Sequence, residues 1–141
     1  MIAQVVGAVD VFAEAIQTGR PPAVAALRNV VEFMRSYADQ CHHGKEETHL
    51  FSLLTQRGVP ATGCPIGALT HEHETGRRLV RDLDAGLDAY ASGDPSAGDS
   101  IAAILHAMAQ LYRGHIWKED YLLFPMTNKV LGPDDHCALL A

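Results

Sequence analysis

Two stretches of the chain pair histidine with glutamate at a spacing that can do chemistry. HHGKEETHLFS begins at residue 42 and HIWKEDYLLFP at residue 115; they share His at the first place, Lys-Glu at the fourth and fifth, an acid at the sixth and Leu-Phe at the ninth and tenth. In each, an imidazole and a carboxylate stand four residues apart, which is one turn along one helical face, so both can grip one centre. Two such helices facing one another would supply two nitrogens and two carboxylates able to bridge. THEHETG, from residue 70, adds His71 and His73 on nearly opposite faces, so one of them at most can look inward. Imidazole nitrogens, carboxylate oxygens and no clustered thiolate are the inventory of a non-haem metal site inside a helical bundle. Bridging carboxylates favour iron or manganese over zinc, whose sites close at four ligands.

Which inward pair the first stretch uses is left open by helical phase. Counting back from Leu50, Phe51 and Leu54 favours His43 with Glu47, whereas counting forward from Val31, Met34 and Ala38, and the match to the second stretch, favour His42 with Glu46. In the second stretch the phase is consistent. At about 100° per residue, Ile101, Leu105, Met108, Tyr112, His115, Glu119 and Leu123 fall on one stripe. A carboxylate on an apolar stripe is costly unless paired, protonated or metal-bound. Tyr112, one turn before His115, reads as core packing, with a donor near the site or a substitute ligand as the alternatives, and Cys41 reads as a small buried residue. Lys45 and Lys118 read as solvated, and His49, His71, His106 and His136 as surface or structural groups.

Elements able to hold these residues are marked by GRPP at 19–22, RGVPATGCP at 57–65, ASGDPS at 91–96 and LGPDD at 131–135. Between them lie segments of about 17, 34, 26 and 33 residues with few internal breakers. The expected fold is therefore all-α: an antiparallel four-helix bundle, with a short C-terminal helix over about 134–140. Asp94 and Pro95 have the form of an N-cap and first-turn proline, and Gly132-Pro133 of a helix stop.

Size and composition agree with one domain spanning residues 1–141, since 141 residues suffice for a single core. The chain is 48% apolar but 6% aromatic, and carries a net charge of -6 with histidines neutral, which lacks the basic face nucleic acid requires. No apolar run approaches the roughly 20 residues of a membrane span. MIAQVVGAVDVF has neither the basic region nor the cleavage site of a secretory signal, and three widely spaced cysteines suggest reduced thiols, so a cytoplasmic location is expected. HEHE lacks the HExxH spacing of metalloproteases, and no phosphate-binding glycine loop is present.

Taken in order, HHGKEETHLF, CPIGALTHEHETGR and HIWKEDYLLFP resemble the hemerythrin-like, or HHE cation-binding, domains, which include bacterial di-iron proteins implicated in repairing iron-sulfur centres. The likeness runs from about residue 25 to residue 132. It implies a four-helix bundle around two non-haem irons, with ligands at His42, Glu46, His73, His115 and Glu119, the two glutamates bridging. It also implies O2, NO or peroxide as the small molecule bound or sensed, in iron handling or in oxidative and nitrosative stress protection. Two further readings are a peroxide-decomposing or iron-donating repair enzyme, and a metal-poor structural or interaction module. The resemblance fails at one place. The family takes a further histidine from its first helix, in a pattern like EHxxI, and the first segment here has none; aligning Ile2 with that isoleucine puts the position just before Met1. Either that ligand lies upstream, or the site has five protein ligands.

Overall fold

The computed structural model describes all 141 residues. Five helices account for nearly the whole chain: α1 (Ile2–Gln17), α2 over residues 24–56, α3 (Ile66–Ala91), α4 over residues 95–130 and the short α5 (Pro133–Leu140). The first four form an all-α bundle without strands, as the punctuation predicts. Helix α4 packs chiefly against α1 and α3, and α3 in turn against α2.

Local chemistry sets the boundaries. Asp94 caps α4 by accepting a hydrogen bond from the Ser96 N–H at 2.9 Å, with Pro95 in the first turn. Gly19, Gly58 and Gly93 take positive φ in the turns after α1, α2 and α3, where residues with a Cβ are disfavoured. At the far end Leu131 is extended and Pro133 opens α5. That last helix is tied to the bundle by Arg57, whose Nε and Nη2 donate to Asp135 at 3.1 and 2.5 Å. Along the α2–α3 seam, Arg28 pairs with Asp88 and Arg35 with Asp84.

The interior is divided in two along the bundle axis. One apolar cluster contains Val9, Leu27, Met34, Leu83, Ile101 and Met108 among others, and draws on all four long helices. A smaller one holds Phe51, Leu54, Ile66, Leu69, Leu123 and Leu131, with no residue from α1. Between them, where three helices pass from one cluster to the other, every buried histidine is found: His43, His73 and His115, with Glu46 and Glu119.

Helix α2 departs from regular α-geometry as it crosses this level. Its hydrogen bonding is π-helical over Met34–His43 and Glu46–Phe51, and α4 repeats this over Glu119–Leu123. The wide turns account for the conflicting phase of the sequence. Thirteen α-helical steps from Ala38 would put Phe51 about 220° away around the axis, yet both are buried in the interior. Each wide turn takes up an extra residue and so absorbs the phase error.

Candidate metal centre

The buried polar layer is built from α2, α3 and α4. Its five members are nearly inaccessible, at 2% for His43, 6% for Glu46, 1% for His73, 2% for His115 and 6% for Glu119. Ligand atoms of Glu46, His73, His115 and Glu119 all lie within 4.8 Å of one another, and those of His43, His73 and His115 do likewise. Of the five residues the resemblance implies, four thus converge. His42 stands at the edge, with its side chain 33% exposed, Nε2 3.4 Å from Glu119 Oε1 and 3.7 Å from Glu46 Oε1. Each carboxylate lies between two imidazoles: Glu46 between His42 and His73, whose Nε2 is 3.4 Å from Oε2, and Glu119 between His42 and His115, whose Nε2 is 2.9 Å from Oε1.

The alternative pair divides its roles. His43 is buried against His73, the rings stacked with centroids 3.9 Å apart, whereas Glu47 lies outside the cluster and meets Nδ1 of His73 at 2.6 Å. Glu72 does the same for His115, with Oε2 3.0 Å from its Nδ1. A carboxylate beside Nδ1 accepts a hydrogen bond from the ring N–H and so keeps the proton on that nitrogen, which leaves Nε2 with a lone pair. Both lone pairs face the interior. Nε2 of His73, Nε2 of His115 and both oxygens of Glu46 are buried without an aligned hydrogen-bond partner. Such groups are rare in folded proteins and costly when nothing compensates them. A cation among them would satisfy all four, so the donor set fits a metal ion.

Electrostatics express the same closeness. Burial raises the Glu119 carboxyl, but the two imidazoles beside it, His115 and His42, outweigh that and hold the group below the usual carboxylate range. For His115 burial favours the neutral ring, and the Glu119 and Glu72 carboxylates more than offset it. For His43, burial, then the neighbouring His73 and His115, outweigh the Glu119 carboxylate and push it down to about 2, so it stays neutral.

Several residues depart from their expected places. Cys41 is exposed rather than buried, because the α2 backbone turns it outward as His43 turns in. Lys118 is not free in solvent but donates to Glu72 Oε1 at 2.5 Å. Tyr112 is buried as expected, packed so closely on Gly76 that a Cβ there would overlap its hydroxyl. His71 and His49 are exposed, and His106 sits in a surface group with Asp10 and Gln17. Two contributors escaped sequence reasoning, Asp39 and Arg77; the one available signal was position, each lying one turn from a buried histidine.

Two openings reach the layer from the His42 side, and a third, of about 160 Å³, reaches His43 past Asp39 and Arg77. A cavity of about 290 Å³ is lined by Ile2, Tyr37, His42, His115, Ile116 and Phe124, and a groove of about 440 Å³ reaches His42 and Glu46 past Cys41 and Leu139. Helix α1 contributes Ile2 and Ala3 to that wall, and no ligand group.

Comparison with known proteins matches residues 2–127 to the hemerythrin HHE cation binding domain. Uncharacterized proteins of Mycobacterium bovis and Mycobacterium tuberculosis are each 27% identical over 106 residues, covering 75% of this chain and 41% of theirs. The chain thus spans less than half the length of those relatives. No solved structure matches.

Proposed function

The chain belongs to the hemerythrin HHE cation-binding family, and on that premise we propose that it holds non-haem iron in the polar layer between its two apolar clusters. The observation that carries this reading is the set of buried, unpartnered lone pairs on Glu46, His73 and His115. Glu46, His73, His115 and Glu119 are the proposed ligands, with His42 as the nitrogen donor on the open side and His43 as a neutral imidazole against His73. Two carboxylates between imidazoles suit a pair of ions better than one. The hard oxygens and borderline nitrogens suit iron.

When bound, such a centre supplies exchangeable electrons and a coordination position for a small molecule. The protein's own contribution is orientation and access. Glu47 and Glu72 fix the tautomers of His73 and His115, while Glu46 and Glu119 neutralise cationic charge. The largely apolar wall of Ile2, Ile116, Tyr37 and Phe124 admits O2, NO or peroxide to the side where His42 is accessible. Oxygen or nitric oxide binding, with a role in iron handling or stress protection, is the reading this supports.

Anaerobic loading with ferrous iron, followed by metal counting and optical spectra before and after oxygen, tests it. Retained iron with a charge-transfer band after oxygen is expected, and His73→Gln should lose that iron. A colourless protein that retains only zinc would overturn the assignment. Peroxide turnover well above that of free iron would mark an enzyme rather than a carrier or sensor.

A further inference from the structure

Helix α2 abandons regular geometry just where it passes the cluster, at a cost in hydrogen-bond quality that normally keeps wide turns short. Something must hold the backbone open there. Arg77, one turn beyond His73 on α3, reaches across to α2 at two points. Its Nε donates to Asp39 Oδ1 at 2.8 Å and its Nη2 to Glu47 Oε1 at 3.0 Å, while Nη1 donates to Glu74 on its own helix. Asp39 and Glu47 flank the stretch that contains His42, His43 and Glu46. On a regular helix their backbones would be about 12 Å apart along the axis, and a single guanidinium draws their carboxylates together.

The same carboxylate oxygen that accepts from Arg77 also lies 2.6 Å from His73 Nδ1. Asp39 Oδ1 is in addition 3.6 Å from Nδ1 of His43. Guanidinium, carboxylates and the buried His73 imidazole thus form one connected unit, with His43 close beside it and not hydrogen-bonded to it. Burial works against the charge on Arg77, but its hydrogen bonds to Glu74 and Asp39 prevail and keep it cationic. Lys118 makes a poorer version of this device. It pins Glu72 on His115, but it bridges to one carboxylate only and so orients a ring without setting a backbone register.

We propose that Arg77 is the positioning residue of this centre: it clamps residues 39–47 in the wide-turn register that brings His43 and Glu46 inward together, and it holds Glu47 on Nδ1 of His73 so that Nε2 faces the cluster. The consequence for metal rests on the iron reading; the clamp on α2 does not. A forked guanidinium is required, because an ammonium is a point charge that cannot serve two fixed carboxylates in one plane.

Two measurements test this on Arg77→Gln and Arg77→Lys, with Glu74→Gln as the control that leaves both α2 contacts in place. Amide hydrogen exchange in the metal-free protein should rise selectively over residues 39–51 in both arginine variants. Ferrous iron affinity should fall roughly 10–100-fold, the usual effect of removing a group that orients a ligand. In a double-mutant cycle, Arg77→Gln with Glu47→Gln should weaken binding by less than the sum of the two single changes. Unchanged exchange over 39–51, or a uniform rise across all helices, would overturn the proposal, as would wild-type behaviour of Arg77→Lys. Should the wild-type protein take up no iron, the iron reading falls, and the exchange measurement still decides the clamp.

Discussion

Glu46 and Glu119 have the same residue type and burial, yet their surroundings separate them. Glu119 is compensated by His115 and His42, while neither oxygen of Glu46 has an aligned partner. A buried carboxylate in that position costs free energy in the metal-free protein. Glu46→Gln is therefore expected to stabilise the metal-free form, by roughly 1–2 kcal/mol, while abolishing stoichiometric iron retention. Urea denaturation alongside metal counting checks both halves. Lower stability of the metal-free variant would mean that Glu46 serves the fold and not a ligand.

At the scale of elements, the π-helical stretches decide which residues of α2 face inward. Val31, Met34 and Ala38 are in phase with one another, as are Phe51 and Leu54, but the two sets agree only because the turns between them widen. Helix α4 keeps a single phase up to Glu119 and widens only beyond it, which is why its stripe from Ile101 to Glu119 is readable by simple periodicity. The short α5 is held by Leu139 against the smaller apolar cluster and by the Arg57–Asp135 ion pair. Hydrogen bonding from Arg57, then from the Gly132 N–H, lowers the Asp135 pKa below its ordinary value. A depressed carboxyl contributes stability above its unfolded pKa and loses it as pH falls through the folded value. Residues 133–140 should therefore lose amide protection below about pH 4, before the four long helices do. Arg57→Gln should lose that protection even at neutral pH.

Across the whole molecule, the polar layer interrupts a core that would otherwise be continuous. The two apolar clusters hold α2, α3 and α4 together on both sides of it, so the layer's cost is carried by the rest of the bundle, and a cation bound there is linked to folding. At metal concentrations about 100-fold above Kd the stabilisation is about 2.7 kcal/mol, which for a domain of this size raises Tm by roughly 5–15 °C. Chelation should reverse that shift in calorimetry, and Glu46→Gln should show no shift at all. No helix is long and apolar enough to cross a membrane.

By itself the sequence determined the helices, their order and most of the residues that meet: breakers and caps are local, and the repeated His-x-x-x-Glu spacing places two groups on one face of any helix. Glu46, His115 and Glu119 were legible as candidates for that reason, Glu46 with Glu47 as its alternative, whereas His73 rested on the family resemblance. Tertiary structure alone decided that His43 joins them while His42 stays at the rim, that Glu47 and Glu72 turn to the outer nitrogens, and that Arg77 spans α2. Those outcomes depend on the pitch of the α2 backbone and on contacts between residues tens of positions apart. A regular helical period carries no information about either.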